Sequence, residues 1–208
     1  MINTYFRLAA IFLILLAVVA NQTTAVIPVT GSIKPPLSHN EINAEIITNN
    51  IEQENTDLAP RTVHIKEKFS FTIANQPKKD HTYVTMIPGV VTDFRYAKKH
   101  GSVGLLAHNF LAGEEFSNIE IGDRITIRGD EASGNTQEYI VHNVSSYQAL
   151  DPLNEFSDFK NLENGKIMSA SQLARDMYGT ADHLTLQTCI EKDGNWVWGR
   201  LFIIASPA

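Results

Sequence analysis

The stretch from Leu184 to Ala205, LTLQTCIEKDGNWVWGRLFIIA, decides the fold and holds the only cysteine of the chain, Cys189. Two β-rich, alternating segments flank the turn sequence Asp193-Gly194-Asn195, which predicts a β-hairpin. If the last two of these turn residues are central, Cys189 lies directly opposite Arg200. If the first two are central, Arg200 opposes Gln187 and lies diagonal to Cys189, still within reach of a long side chain.

The two faces of this hairpin differ in character, because side chains two residues apart share a face of a strand. One face suits a core and consists of Leu186, Thr188, Ile190, Val197, Gly199, Leu201 and Ile203. The other mixes polar and aromatic groups and consists of Thr185, Gln187, Cys189, Glu191, Trp196, Trp198, Arg200 and Phe202. A core would not be expected to have that mixture, so Cys189 lies on the unusual face.

Composition limits the classes of function. The chain has 208 residues, 43% of them hydrophobic, which is enough for one domain with a substantial core. The net charge is −6, and no basic run or basic and aromatic patch is present. No nucleic-acid role is therefore predicted.

The N-terminal region has the features of an export signal. An unbroken apolar segment of 13 residues runs from Leu8 to Ala20, shorter than the roughly 20 residues that a bilayer span needs. We predict that residues 1–25 are a signal peptide or membrane anchor, that residues 26–80 are a largely irregular spacer, and that residues 81–208 are the folded domain. The protein is then exported, and is either secreted or held at the extracytoplasmic face of the cell membrane.

Short alternating segments with turn signals between them predict a mainly β barrel or sandwich with short helices. The predicted strands are Tyr83 to Ile87, Val103 to Ala107, Arg124 to Arg128 and Glu138 to Ser145, with a possible early strand around Phe69, Phe71 and Ile73. Short helices are predicted at Ser171 to Tyr178 and, in the spacer, around Ile42, Ile46 and Ile47.

Cys189 cannot form a disulfide within this chain, so an exported protein would carry it as a free thiol. A free cysteine is often a small buried hydrophobe, and only the neighbours of Cys189 favour a nucleophile instead. Its partner would be a base that populates the thiolate, together with a donor that stabilises an oxyanion. Arg200 fits the second role, although an exposed strand arginine is the more common situation.

The histidines differ in their suitability as the base. His183 lies six residues before Cys189 on one strand, roughly 20 Å away and out of reach. His39 and His64 fall in the spacer, and His100 follows Lys98 and Lys99 in a solvated charge cluster. His108 follows an apolar strand and is preferred over His142, which we interpret as an ordinary strand residue. The seven histidines are scattered and no Cys-x-x-Cys is present, so no metal site is predicted.

Several segments together resemble one family. The run Thr185-Leu186-Gln187-Thr188-Cys189 is similar to the TLxTC signature of sortases, with Arg200 on the next strand. The segment from Gly104 to Asn109, followed by Ile121-Gly122-Asp123 and a strand, resembles the histidine region of that family. The resemblance covers roughly residues 82–205 in consistent order. Departures are Ala107 before the histidine, where many members have Gly, and a long stretch between His108 and Cys189.

The resemblance implies a closed eight-stranded sortase-like β-barrel and an exported, membrane-associated cysteine transpeptidase. Cys189 would attack a sorting-signal peptide, His108 would protonate the leaving amine, and Arg200 would hold the substrate and the oxyanion. The thioester would then pass to an amine acceptor of the cell wall or a pilin. We also predict that Thr188 and Trp198 contribute to substrate binding. No cofactor is predicted, and the sequence leaves Ca²⁺ dependence open.

Two alternatives remain at this point. One is a cysteine peptidase that only hydrolyses its substrate, which amine-dependent product formation would distinguish from a transpeptidase. The other is a cell-surface barrel that binds peptides without turnover, in which Cys189 would show ordinary thiol reactivity. A papain-like enzyme is disfavoured because its cysteine opens a helix, whereas Cys189 lies in a predicted strand.

Overall fold

The computed structural model describes residues 61–65, 67–129, 134–154 and 156–208. Its strands are β1 (Thr62–Ile65), β2 (Phe69–Asn75), β3 (Val90–Asp93), β4 (Val103–Leu106), β5 (Arg124–Arg128), β6 (Thr136–Ala149), β7 (Phe159–Asn161), β8 (Ile167–Met168), β9 (Leu184–Lys192) and β10 (Asn195–Pro207). Its helices are α1 (Arg95–Lys99), a 3₁₀ helix (Ala112–Asn118) and α2 (Ala170–Tyr178). The predicted leader, most of the predicted spacer and the helix near Ile42 lie outside the described residues. Among the described residues, no helix has the length and apolar character needed to cross a membrane.

Eight of the strands form a closed barrel. Their order is β10-β9-β4-β3-β2-β1-β5-β6, and pairing of β10 with β6 closes the ring. The short strands β7 and β8 extend the sheet outward from β6. Closure removes the exposed strand edges that an open sheet would leave. The predicted mainly β fold with a closed barrel and short helices is therefore confirmed.

A hydrophobic cluster fills the barrel and receives side chains from all eight of its strands. Its fully buried members are Val63, Val91, Leu105, Phe116, Ile125, Tyr139, Leu184, Leu186, Ile203 and Ala205. Strand alternation explains the contribution of β9, since Leu184 and Leu186 share one face. Leu186 and Ile203 confirm the core face that the sequence predicted, whereas Val197, predicted on the same face, packs in the cluster that contains Cys189. The register shift between Asn195 and Gly199 accounts for this difference.

The opposite face of β9 is also buried, which corrects the interpretation of that face as unsuited to a core. A second cluster packs there and contains Phe94, Tyr178, Phe202 and Cys189 itself. Its polar members are satisfied by α2: Thr185 Oγ1 donates to the carbonyl of Met177 at 2.6 Å, and Tyr178 Oη donates to Gln187 Oε1 at 2.5 Å. Buried polar groups with such partners do not carry the usual desolvation cost.

Helix α2 covers this outer face of the barrel. It begins with a capping box, in which Ser169 and Gln172 bond each other's backbone N–H. Its apolar side, which includes Leu173 and Met177 four residues apart, is buried against the barrel. The helix predicted from Ser171 to Tyr178 is confirmed, with its first turn starting one residue earlier.

The barrel begins earlier in the chain than the boundary predicted at residue 81. Strands β1 and β2 lie within the predicted spacer, yet they pair with each other and with β5 and β3. Alternation of Phe69, Phe71 and Ile73 correctly indicated β2. The strand predicted from Tyr83 to Ile87 is wrong, because that segment is irregular and β3 starts only after Gly89, whose φ is +74°.

Candidate active site

Cys189 pairs with Arg200 in the hairpin of β9 and β10, as predicted, but the turn and the strand register that produce this pairing differ from the prediction. Asp193 and Gly194 are the central turn residues, with φ of +53° and +79°, so the preferred turn assignment was wrong. Near the turn Asn195 therefore pairs with Lys192, a register that would place Arg200 opposite Gln187. An irregularity between Asn195 and Gly199 shifts the register, and Arg200 pairs with Cys189 as predicted.

The irregular segment of β10 also holds the Arg200 side chain. Its Nη1 atom donates to the carbonyls of Val197 at 3.1 Å and Gly199 at 2.8 Å. The guanidinium lies over the ring of Phe159, 5.8 Å from its centroid. These contacts keep a half-buried cation on the face of the sheet that carries Cys189.

Cys189 is almost fully buried, with 3% of its surface exposed. Burial raises the pKa of its thiol to about 12, and the positive charge of Arg200 acts in the opposite direction. The cysteine is therefore a neutral thiol in the free protein at neutral pH. Nucleophilic chemistry at this residue requires a group that removes the thiol proton as sulfur attacks.

His108 reaches the same region from the other side of β9. Parallel pairing of β4 with β9 ends at Leu106 and Gln187, and the Ala107 N–H continues it by donating to the Gln187 carbonyl at 3.1 Å. Extending this register by two residues places His108 beside Cys189. The histidine is 3% exposed, and its Nε2 lies 3.4 Å from the carbonyl of Val84.

The environment of His108 favours a neutral imidazole. Burial lowers its pKa, and the hydrogen bond with the Val84 carbonyl opposes this shift. One face of the ring stacks on Phe110, with centroids 5.2 Å apart and planes inclined by 23°. A neutral imidazole in this position can accept a proton from a thiol.

Strand order and side-chain parity bring the three predicted catalytic residues together. Strand β9, with Cys189, lies between β4 and β10. Leu106, two residues before His108, and Phe202, two residues after Arg200, belong to the same outer cluster as Cys189. Cys189 and Arg200 therefore share the outer face of two paired strands, and His108 follows β4 by two residues, where continued alternation would direct it to the same face. Acyl transfer by a thiol needs a base and a cation on the same side as the sulfur.

The tip of the hairpin contacts the loop that carries His108, and the sequence analysis did not predict this contact. Asn109 Nδ2 donates to the Trp196 carbonyl at 3.1 Å. The rings of Phe110 and Trp196 meet edge to face, with centroids 5.9 Å apart. The one signal for this contact was the position of Trp196, an aromatic residue beside the turn. Nothing in the sequence indicated Phe110 as its partner.

Thr188 and Trp198, predicted to bind substrate, occupy different environments. Thr188 is 2% exposed and lies below the histidine loop, where a Cβ on Gly113 would meet its Oγ1. Trp198 is half-buried near the hairpin tip, where Lys192 Nζ lies 4.8 Å from its ring centroid. Their contribution to substrate binding stays a prediction.

In the part of the chain that the structure describes, no set of three or more His, Cys, Asp or Glu side chains is arranged to hold a metal ion. His100 ends α1, where its Nδ1 lies 2.9 Å from the Tyr96 carbonyl, and His64 bonds Thr62 within β1. Neither lies on the strands that carry Cys189 and Arg200.

Comparison with solved structures finds sortases. They include sortase A of Listeria monocytogenes (13% identity, 71% of this chain and 86% of that chain, TM-score 0.44) and sortase D5 of Clostridium perfringens (13%, 79% and 88%, TM-score 0.46). Sortase C1 of Streptococcus suis also matches (15%, 84% and 89%, TM-score 0.45). The matches span sortases A, C and D, so no subclass is singled out. No family model and no curated protein sequence matches the chain.

Proposed function

We propose that the protein is a cysteine transpeptidase of the sortase type, acting on the sorting-signal peptide of a surface protein. One observation carries this proposal: Cys189 pairs with Arg200 on β10, and on its other side β9 pairs in parallel with β4, the strand that leads into His108. The TLxTC-like segment Thr185 to Cys189 in β9 supports the same assignment.

The first half-reaction forms a thioester. Sγ of Cys189 attacks the scissile carbonyl, and the neutral imidazole of His108 accepts the thiol proton. The guanidinium of Arg200 stabilises the oxyanion that develops on the carbonyl oxygen. Collapse of this intermediate breaks the peptide bond, and His108 transfers the proton to the departing amine.

The second half-reaction transfers the acyl group. An incoming amine attacks the thioester carbonyl, His108 accepts a proton from it, and Arg200 again stabilises the oxyanion. Release of the Cys189 sulfur, which takes back the proton, regenerates the thiol and completes an amide bond. The acceptor class that we propose is an amine of the cell wall or of a pilin, which places the enzyme at the extracytoplasmic face of the membrane.

The experiment that tests this proposal is intact-mass detection of the acyl-enzyme. The full chain is incubated with a pool of C-terminal peptides from surface proteins of its own organism, and the mass of the protein is measured. We expect a covalent acyl group on Cys189 that hydroxylamine releases, and its loss in Cys189→Ala. Absence of an adduct together with unaltered peptides would favour the non-catalytic barrel.

A further inference from the structure

A pair of histidines at the junction of β6, β9 and β10 stands apart from the site described above. The rings of His142 and His183 approach each other with centroids 5.4 Å apart and planes inclined by 67°. His142 is exposed and His183 is half-buried, so both are accessible to solvent. Among the described residues, neither ring forms a hydrogen bond or an ion pair with another side chain.

A bulge in β6 creates this juxtaposition. Along the β10 and β6 ladder, Ile204 pairs with Asn143 and the next residue, Ala205, pairs with Val141. His142 is therefore an extra residue without a partner on β10. Bulges commonly redirect a side chain. Here the redirected ring meets His183, the residue that directly precedes β9 on the far side of β10.

The separation of the two ring centroids is short enough for both imidazoles to coordinate one metal ion. Imidazole nitrogen binds Zn²⁺ at about 2.0–2.1 Å, which puts each ring centroid about 3.2 Å from the metal and two tetrahedrally arranged centroids about 5.2 Å apart. The observed separation is 5.4 Å. We propose that His142 and His183 bind one divalent transition-metal ion of the Zn²⁺ class, with water completing its coordination.

The local charge supports a cation at this place. Asp182 directly precedes His183. The pKa of Tyr139 is raised to about 12, first by burial of the phenol and second by the negative charge of the Asp182 carboxylate. Tyr139 lies three residues before His142 on β6, so the negative charge acts across the same junction. Imidazole ligands select Zn²⁺, Cu²⁺ or Ni²⁺ over Ca²⁺ and Mg²⁺, which prefer oxygen.

A metal ion bound here would act on stability rather than on chemistry. It would link β6 to the start of β9, the strand that carries Cys189. Six residues of extended chain separate His183 from Cys189, roughly 20 Å. The ion is therefore too far away to contact the thiol, and this inference does not depend on the proposed transpeptidase activity.

The test is calorimetric titration of the untagged, metal-free full chain in detergent micelles with Zn²⁺ alone at pH 7.5. We expect one bound ion and at least a tenfold weaker affinity in His142→Gln and in His183→Gln. The matched controls His100→Gln and Cys189→Ala should retain the affinity of the original protein. Undiminished binding in either histidine variant, or loss of binding in a control, overturns the proposal.

A second measurement does not rely on variants. X-ray absorption of the Zn²⁺ complex should show two imidazole ligands at about 2.0 Å with oxygen completing the shell. An excess of Zn²⁺ should also raise the melting temperature of the protein by about 5 °C, because the two histidines form the site only in the folded chain. A shell without two imidazoles, or an unchanged melting temperature, contradicts the proposed site.

Discussion

Cys189 and Arg200 pair across β9 and β10 even though the turn joining these strands has the register that would pair Arg200 with Gln187. The irregularity in β10 makes the correction, and its carbonyls at Val197 and Gly199 bind the guanidinium. One local feature of β10 thus sets both the position and the orientation of the arginine.

Arg200 should increase the reactivity of the Cys189 thiol. Its charge opposes the effect of burial, which raises the pKa of the thiol to about 12. Replacing it by Met removes this opposition, so we expect iodoacetamide to alkylate Cys189 severalfold more slowly at pH 8. In the original protein the rate should keep rising up to pH 10, since only the thiolate reacts.

Exposed Arg124, which pairs with Glu138 at 3.4 Å, provides the matched control for this prediction. Arg124→Met removes the same charge far from the thiol and should leave the alkylation rate unchanged. Equal rates in the original protein and in Arg200→Met would show that the guanidinium does not act on the sulfur.

The buried thiol should also make stability depend on alkaline pH. Its folded pKa of about 12 lies above the ordinary value of 9.0, so the unfolded chain releases this proton first as pH rises. The contribution of the buried thiol to the free energy of unfolding is fully present below pH 9 and is lost between pH 9 and pH 12. By pH 10 the loss is about 1.4 kcal/mol.

Cys189→Ala isolates that contribution. Urea unfolding at pH 8 and pH 10 should show a smaller fall in the free energy of unfolding for the variant than for the original protein. Tyr139 and Tyr178 are present in both proteins, so their own titration cancels in the comparison. An identical pH dependence in the two proteins would refute the raised thiol pKa.

Gly113 should be essential for the position of the histidine loop. A Cβ there would clash with Thr188 Oγ1 and would lie 2.7 Å from the His108 carbonyl oxygen. Gly113→Ala is expected to destabilise the fold by about 1–3 kcal/mol in denaturant unfolding. Adding Thr188→Ala should recover only part of this loss, because the clash with the His108 carbonyl persists; full recovery would contradict the account.

Tyr178 supports β9 beside the candidate nucleophile. Its hydroxyl donates to Gln187 Oε1 at 2.5 Å, and both side chains are buried. Tyr178→Phe leaves that amide oxygen without its donor, so we expect a loss of about 1–3 kcal/mol in the free energy of unfolding. Tyr83→Phe, at a half-exposed site, should cost much less, and equal costs would argue against a specific role for this hydrogen bond.

Local pattern was sufficient to predict several features. Alternation indicated β5 and β9, the spacing of Leu173 and Met177 indicated α2, and the TLxTC-like segment indicated Cys189. These features depend on neighbours in the chain, which a sequence pattern records directly.

Other features depend on contacts between distant segments. Thr185 and Gln187 looked unsuited to a core because their partners, the Met177 carbonyl and Tyr178 hydroxyl, come from a helix whose docking the sequence does not show. The irregularity that corrects the hairpin register ends at Gly199, where a Cβ would lie 2.6 Å from the Tyr147 carbonyl oxygen. A glycine inside a strand is a signal for such an irregularity, but the sequence analysis did not use it. Strand β1 was missed because its four residues, Thr62–Ile65, are too few for a periodic signal.

The most direct test of the central claim is amine-dependent transfer, measured by mass spectrometry of the peptide products with and without an added amine acceptor. The account predicts a peptide joined to the amine, no product with Cys189→Ala, and at least a hundredfold less with His108→Ala or Arg200→Ala, while His100→Ala retains full activity. Product formation that survives Cys189→Ala, or hydrolysis alone at every amine concentration, would contradict it.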